Sequence, residues 1–296
     1  MNKYNGVWTA MITPFNDDGS IDWNSFENLI DRQIKAKVTG IIISGTTGES
    51  PTLSDEECIE MTKRAKIRTS GKCLLMVGTG TNNTKKSIEK TKSAEDAGAD
   101  IVLLVNPYYN KPTQKGLYLH FKSIAESTKL PVMLYNIKGR TGVNLETETL
   151  KKLASDVNNI IGVKEASGDL EQIKSVCNLH LENFVILSGD DNLTFKIIKD
   201  YGAHGVISVA SNILPEDMVT MVNSALGKDY EKATEINEKL NDLFKILFIE
   251  TNPIPVKYSS YKMGLCKNIY RLPMCEIEEE NGKQVDLVLK NIKIIK

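Results

Sequence analysis

The sequence is poor in the residues that hold metals or build disulfide frameworks. Histidine occurs three times (His120, His180, His204) and cysteine five times (Cys58, Cys73, Cys177, Cys266, Cys275), with no C-x-x-C or H-x-x-x-H spacing. Zinc sites and disulfide scaffolds draw on such clusters, so neither is expected, and the thiols are read as reduced core filler. Long apolar runs are also missing. The longest buried-looking stretch is Ile101 to Val105, far short of the roughly 20 apolar residues of a membrane helix. No charge of one sign dominates: 37 Lys and Arg face 38 Asp and Glu, a net charge of -1, without a polybasic stripe. Nucleic acid and membrane surfaces therefore have no electrostatic claim on the chain, and a small-molecule partner is favoured. The first residues, MNKYNGVWTAMITPF, hold no apolar signal region, so a cytoplasmic location is expected.

With 41% hydrophobic and 25% charged residues, the 296-residue chain has an ordinary globular composition. Short β-branched runs begin near Val7, Gly40, Leu74, Asp100, Pro131, Ile160, Phe184 and Gly205, at intervals of 21 to 34 residues. Each interval has room for one helix, which is the pattern of repeated βα units around a parallel sheet. Ser54 to Glu57 reads as a capping box opening the second helix, and Gly98 as a stop for the third. The first strand is expected to end in Thr13-Pro14-Phe15, without a Gly-rich phosphate turn. Eight units then predict a closed (β/α)8 TIM barrel over residues 1–226, its last helix running from about Pro215 to Leu226. Residues 227–296 are predicted to be a C-terminal helical extension, with Leu240, Leu243, Phe244, Leu247 and Phe248 on one face. Glu276 to Glu280 reads as a solvated turn before a short final helix.

A barrel of this kind carries its chemistry at the carboxyl ends of its strands. After the second strand comes Gly45-Thr46-Thr47-Gly48-Glu49-Ser50, whose glycines, hydroxyls and amides suit a carboxylate; a plain tight turn is the alternative. A Walker loop is excluded because G-K-[ST] is absent, and Gly78-Thr79-Gly80 fails the dinucleotide fingerprint at Asn83. In the sixth strand Lys164 continues the run Ile160 to Val163 and shares a face with Gly162, which is expected to leave space beside it. Burial favours a neutral amine, the form that attacks a ketone to give a Schiff base; a lysine reaching out from a strand end is the alternative. Tyr135 ends the fifth strand, Tyr108 and Tyr109 follow the fourth, and Arg140 lies between Gly139 and Gly142. Such tyrosines often only pack, and such an arginine is often only exposed. An amine, phenols, hydroxyls and a guanidinium on one barrel face nevertheless point to carbonyl chemistry on an anionic substrate, without a cofactor.

The motifs GTTGES (45–50), NPYYNKP (106–112), YNxxxRTG from Tyr135, GVKEASGD (162–169), LSGDD (187–191) and GVISV (205–209) occur in this order. With them the chain resembles the dihydrodipicolinate synthase family, among the pyruvate-dependent class I aldolases that include N-acetylneuraminate lyase. The resemblance implies condensation of pyruvate with L-aspartate 4-semialdehyde on the way to diaminopimelate and lysine. It implies an imine on Lys164 and a proton shuttle at Tyr135, linked by Thr46 to Tyr109 of a neighbouring subunit. It also implies pyruvate carboxylate binding by Thr46 and Thr47, semialdehyde binding by Arg140, and backbone carbonyls of Gly189 and Ile207 near the nucleophile. A homotetramer of two tight dimers is implied as well.

Many relatives are inhibited by L-lysine near positions matching Ser50, Asn82 and Tyr108, a candidate effector pocket. Here Lys86 stands where the lysine-sensitive pattern has glutamate, while Asp55 and Cys58 stand where the enterobacterial-type pattern has histidines. Lys138 also departs from the family, replacing the usual proline two residues before Arg140. The competing readings are a sugar-acid lyase of the same family, which tends to lack that arginine, and a barrel that senses a metabolite without turning it over.

Overall fold

The computed structural model describes residues 2–296. Eight parallel strands close into a barrel in sequence order: β1 (Gly6–Ala10), β2 (Gly40–Ile43), β3 (Leu74–Gly78), β4 (Ile101–Val105), β5 (Val132–Asn136), β6 (Ile160–Glu165), β7 (Val185–Ser188) and β8 (Gly205–Ser208). The ring is completed by β8 against β1, with Val7 opposite Val206 and Trp8 opposite Ile207. Side chains alternate along each strand. Trp8, Ile42, Met76, Leu103, Met133 and Leu187 form the interior cluster. Their sequence neighbours Ile41, Ile43, Leu75, Val102, Leu134 and Ile186 join the larger core packed against the helices.

The surrounding helices are α1 (Trp23–Lys35), α2 (Asp55–Thr69), α3 (Thr84–Asp96), α4 (Gln114–Ala125), α5 (Lys138–Thr141), α6 (Thr147–Asp156), α7 (Leu170–Cys177), α8 (Asp191–Tyr201) and α9 (Pro215–Leu226). They are followed by α10 (Tyr230–Ile246), α11 (Ile254–Lys262) and α12 (Glu279–Asn291). The capping box opening α2 is complete, with the Ser54 hydroxyl accepting from Glu57 N and the Glu57 carboxylate accepting from Ser54 N. Gly98 follows the end of α3 at a φ of 99°, and its N–H bonds the Glu95 carbonyl.

Several details differ from the sequence expectations. The interval between β5 and β6 holds two helices, because the Arg140 loop winds into the single turn α5. The first strand ends at Ala10, and Thr13 instead uses its hydroxyl to hold the Gly48 carbonyl at 2.7 Å. Leu240, Leu243, Phe244 and Leu247 are buried, but Phe248 lies beyond the end of α10, is 45% exposed and faces the barrel mouth. The final helix is not short: α12 has 13 residues and begins inside the acidic run. Of the cysteines, Cys73, Cys177 and Cys266 are core residues, whereas Cys58 is half-buried and Cys275 is exposed.

Candidate active site

Register explains why Lys164 and Tyr135 meet. In the β5–β6 pair Tyr135 lies opposite Lys164 and Asn136 opposite Glu165, so the first pair projects into the barrel and the second away from it. The Lys164 Nζ sits 4.1 Å from the centre of the Tyr135 ring, and both residues are buried. They line a cavity of about 60 Å³ with Thr46, Thr47, Gly189 and Ile207, and Arg140 stands at its edge. The expected space beside Gly162 is absent: a Cβ there would meet the Val185 carbonyl oxygen at 2.3 Å and the Met133 Cε at 3.0 Å. Room for the lysine comes from the neighbouring strand end, since a Cβ on Gly189 would lie 3.2 Å from the Lys164 Cε. On the outer face the Asn136 amide donates to Glu165 Oε2 at 3.0 Å, and Ser167 N donates to Oε1 at 2.8 Å. Burial raises the Glu165 pKa and these bonds oppose the rise, so a satisfied polar network fixes the two strands behind the site.

The loop after β2 bends through two left-handed residues, Ser44 (φ 53°) and Glu49 (φ 57°). Among the described residues, the backbone N–H groups of Thr46 and Thr47 donate to no acceptor, which leaves them free for an anion. The Thr47 hydroxyl accepts from the Asn252 side-chain amide at 3.0 Å and therefore keeps its own proton to donate. Beneath the loop, Glu49 and Lys257 form a fully buried ion pair at 2.6 Å. The Lys257 ammonium also lies 4.0 Å above the Phe15 ring, and Glu49 accepts the Arg271 N–H at 3.2 Å. Burial lowers the Lys257 pKa while Glu49 acts against that shift. The glycines of Gly78-Thr79-Gly80 serve backbone packing: a Cβ on Gly78 would meet the Ser44 carbonyl oxygen at 2.2 Å, and one on Gly80 the Val105 nitrogen at 2.4 Å.

Arg140 is exposed on α5 and donates to the Asn252 carbonyl at 3.2 Å. Asn252 is thus bonded to both groups expected to bind carboxylates, and the sequence reading gave it no role. Asp190 is the second omission. It begins the turn into α8, lines the Lys164 cavity and makes no side-chain cap. Its place just after a strand end was a usable signal, but in sequence an aspartate before a helix reads as a cap.

Ser50, Asn82, Lys86 and Tyr108 also come together, lining a neighbouring cavity of about 470 Å³ that shares Thr46 and Arg140 with the Lys164 cavity. Asp55 reaches this space but is paired with Lys90 at 3.0 Å. Tyr109 is not brought to the site within one chain: it is 89% exposed, has a φ of 73° and lines neither cavity.

Residues 3–292 match the model of the dihydrodipicolinate synthetase family. A 4-hydroxy-tetrahydrodipicolinate synthase of Endomicrobium trichonymphae is 47% identical over 293 residues, covering 99% of this chain and all (100%) of that protein. The crystal structure of dihydrodipicolinate synthase from Aquifex aeolicus superposes with a TM-score of 0.96 at 42% identity, over 98% of this chain and 99% of that one. The chloride-inhibited dihydrodipicolinate synthase of Acinetobacter baumannii, solved with pyruvate, gives a TM-score of 0.95 at 42% identity, over 98% and 99% of the two chains.

Proposed function

The chain belongs to the dihydrodipicolinate synthetase family, and from that premise we propose that Lys164 is its Schiff-base nucleophile and Tyr135 its proton carrier. The activity is that of a 4-hydroxy-tetrahydrodipicolinate synthase, a lyase of lysine biosynthesis that binds pyruvate. One observation carries the assignment of residues. Among the described residues, the only lysine lining the barrel-mouth cavity lies against a phenol, beside a loop with unengaged amides.

In this reading the pyruvate carboxylate rests on the Thr46 and Thr47 N–H groups and accepts the proton that the Thr47 hydroxyl keeps. The Lys164 amine attacks C2, and water leaves as the imine forms. Tyr135 carries the C3 proton that is lost when the imine becomes the enamine. The second substrate is L-aspartate 4-semialdehyde, its carboxylate held by Arg140, and the enamine carbon attacks its aldehyde. The semialdehyde nitrogen then replaces Lys164 at C2 and closes the ring. Gly189 and Ile207 line the cavity with the nucleophile and would offer it their backbone carbonyls, and no cofactor takes part in these steps.

Arg140 favours this condensation over a sugar-acid lyase reaction, because a guanidinium at the cavity edge suits a second carboxylate better than a row of hydroxyls. The working form is a homotetramer of two tight dimers, with Tyr109 completing the proton path across a subunit boundary through Thr46. Its compartment is the cytoplasm, which suits five free thiols.

Treatment with pyruvate and borohydride tests the nucleophile. A single reduced adduct is expected on the Lys164 peptide, and none in Lys164→Ala. An adduct on Lys138 or Lys257, or full activity in Lys164→Ala, overturns the assignment. Tyr109→Phe and Lys164→Ala chains should regain activity when mixed, and failure despite demonstrated subunit exchange rejects the shared path.

A further inference from the structure

Asp190 is a carboxylate with no task in the fold. It occupies the N-cap position of α8, where an aspartate ordinarily accepts a backbone N–H, yet it makes no such bond. The fold here is held by its neighbour: Asp191 is buried and accepts the Val209 and Ala210 N–H groups, each at 2.9 Å. The Asp190 backbone is fixed as well. The Ser188 hydroxyl accepts its N–H at 3.2 Å and donates to its carbonyl at 2.8 Å, and the Thr194 hydroxyl also donates to that carbonyl, at 2.7 Å. Asp190 lines the same cavity as Lys164 and Arg140. Gly189, directly before it, packs so closely on the lysine that a Cβ would lie 3.2 Å from Cε. Burial raises the Asp190 pKa and the charge of Lys164 acts against the rise, which brings the carboxyl nearer to the range useful in proton transfer.

The reaction proposed above needs a base at this place. The semialdehyde arrives with an ammonium nitrogen, which has no lone pair, and that nitrogen must bond to the carbon held by Lys164. We infer that Asp190 is the proton carrier of ring closure, taking protons from the incoming substrate nitrogen and delivering them to the departing Lys164 nitrogen. The inference rests on the Schiff-base reading. In the step, a substrate nitrogen–C2 double bond replaces the C2–Nζ double bond of the iminium: as each nitrogen–C2 bond forms, one C2–Nζ bond breaks and its electron pair goes to Nζ. The substrate nitrogen loses all three ammonium protons on becoming the ring imine. Nζ, with one proton in the iminium, gains two and leaves as an ammonium; the third proton goes to water. Asp190 ends as the carboxylate it was at the start.

Asp190→Asn keeps the shape of the side chain and removes the base. With pyruvate alone and borohydride, the variant should give the same Lys164 adduct as the parent, which also shows that it is folded. With both substrates, product formation should fall by about 10²- to 10⁴-fold, the range of general acid–base catalysis. Borohydride added during turnover should then trap on Lys164 the open-chain adduct of pyruvate joined to semialdehyde, where the parent shows mainly the pyruvyl adduct. Parental turnover overturns the inference, and so does a slow variant that accumulates only the pyruvyl adduct, because the block would then precede carbon–carbon bond formation. If the parent forms no pyruvyl adduct on Lys164, the Schiff-base reading itself fails, a result separate from either of these.

Discussion

At the scale of single residues, the proposed mechanism divides the site into groups that would transfer protons and groups that would hold charge. Tyr135→Phe keeps the ring against Lys164 and removes only the hydroxyl, so pyruvate should still be trapped while turnover falls by about 10²- to 10⁴-fold. Equal losses of trapping and turnover would show that the phenol is needed for imine formation too. Arg140→Ala should behave differently, with pyruvate trapping unchanged and KM for the semialdehyde raised, because a bidentate partner for one substrate is removed. Steady-state kinetics with each substrate varied in turn separates the two cases. Lys164 was legible in the sequence because a lysine continuing an apolar strand is out of place there. Asn252 was not, since its bond to Thr47 joins positions 205 residues apart and no local pattern encodes it.

At the scale of elements, α5 shows what one departure from the family does. Lys138 is its first residue, where a helical N–H has no partner in the preceding turn, and a proline fits such a position without losing a hydrogen bond. What lysine gives up is the fixed φ. Lys138→Pro should therefore stabilise the chain by about 0.4–1 kcal/mol in urea unfolding, and a loss of stability would mean that the local backbone is incompatible with proline. The neighbouring cavity leads to a second expectation. Lys86, Lys90 and Arg140 line it, and the one carboxylate among the described residues that reaches it, Asp55, is already engaged by Lys90. A ligand bearing two ammonium groups meets repulsion there and lacks a charge-assisted bond worth about 1.5–3 kcal/mol, roughly tenfold or more in affinity. L-lysine should inhibit little at millimolar levels in the steady-state assay, and strong inhibition at submillimolar levels would reject this. Strand positions were readable from short β-branched runs with room for a helix between them, whereas the winding of 138–141 into a helix was not, because the segment has only four residues and no apolar period.

At the scale of the whole molecule, the barrel was legible because its strands recur with room for helices between them. Its dependence on the C-terminal helices was not, since that rests on a lysine and a glutamate far apart in sequence. We propose that the barrel, residues 1–226, and the extension, residues 227–296, do not stand alone. Lys257 on α11 neutralises Glu49 in the loop after β2 with both side chains fully buried, and Asn252 bonds Thr47 in the same loop. Removing one partner of a buried pair strands the other charge in a low-dielectric interior, which costs about 3–5 kcal/mol, while replacing both is far milder. Lys257→Met should therefore lower stability by that order and loosen the loop after β2, raising KM for pyruvate even where the protein remains folded. Lys257→Met combined with Glu49→Gln should recover a large part of the loss. Urea unfolding of the parent, both single variants and the double variant gives the coupling directly. A double variant as unstable as the sum of the singles would show that the pair adds no stability, and that α11 is held to the barrel by its apolar contacts alone.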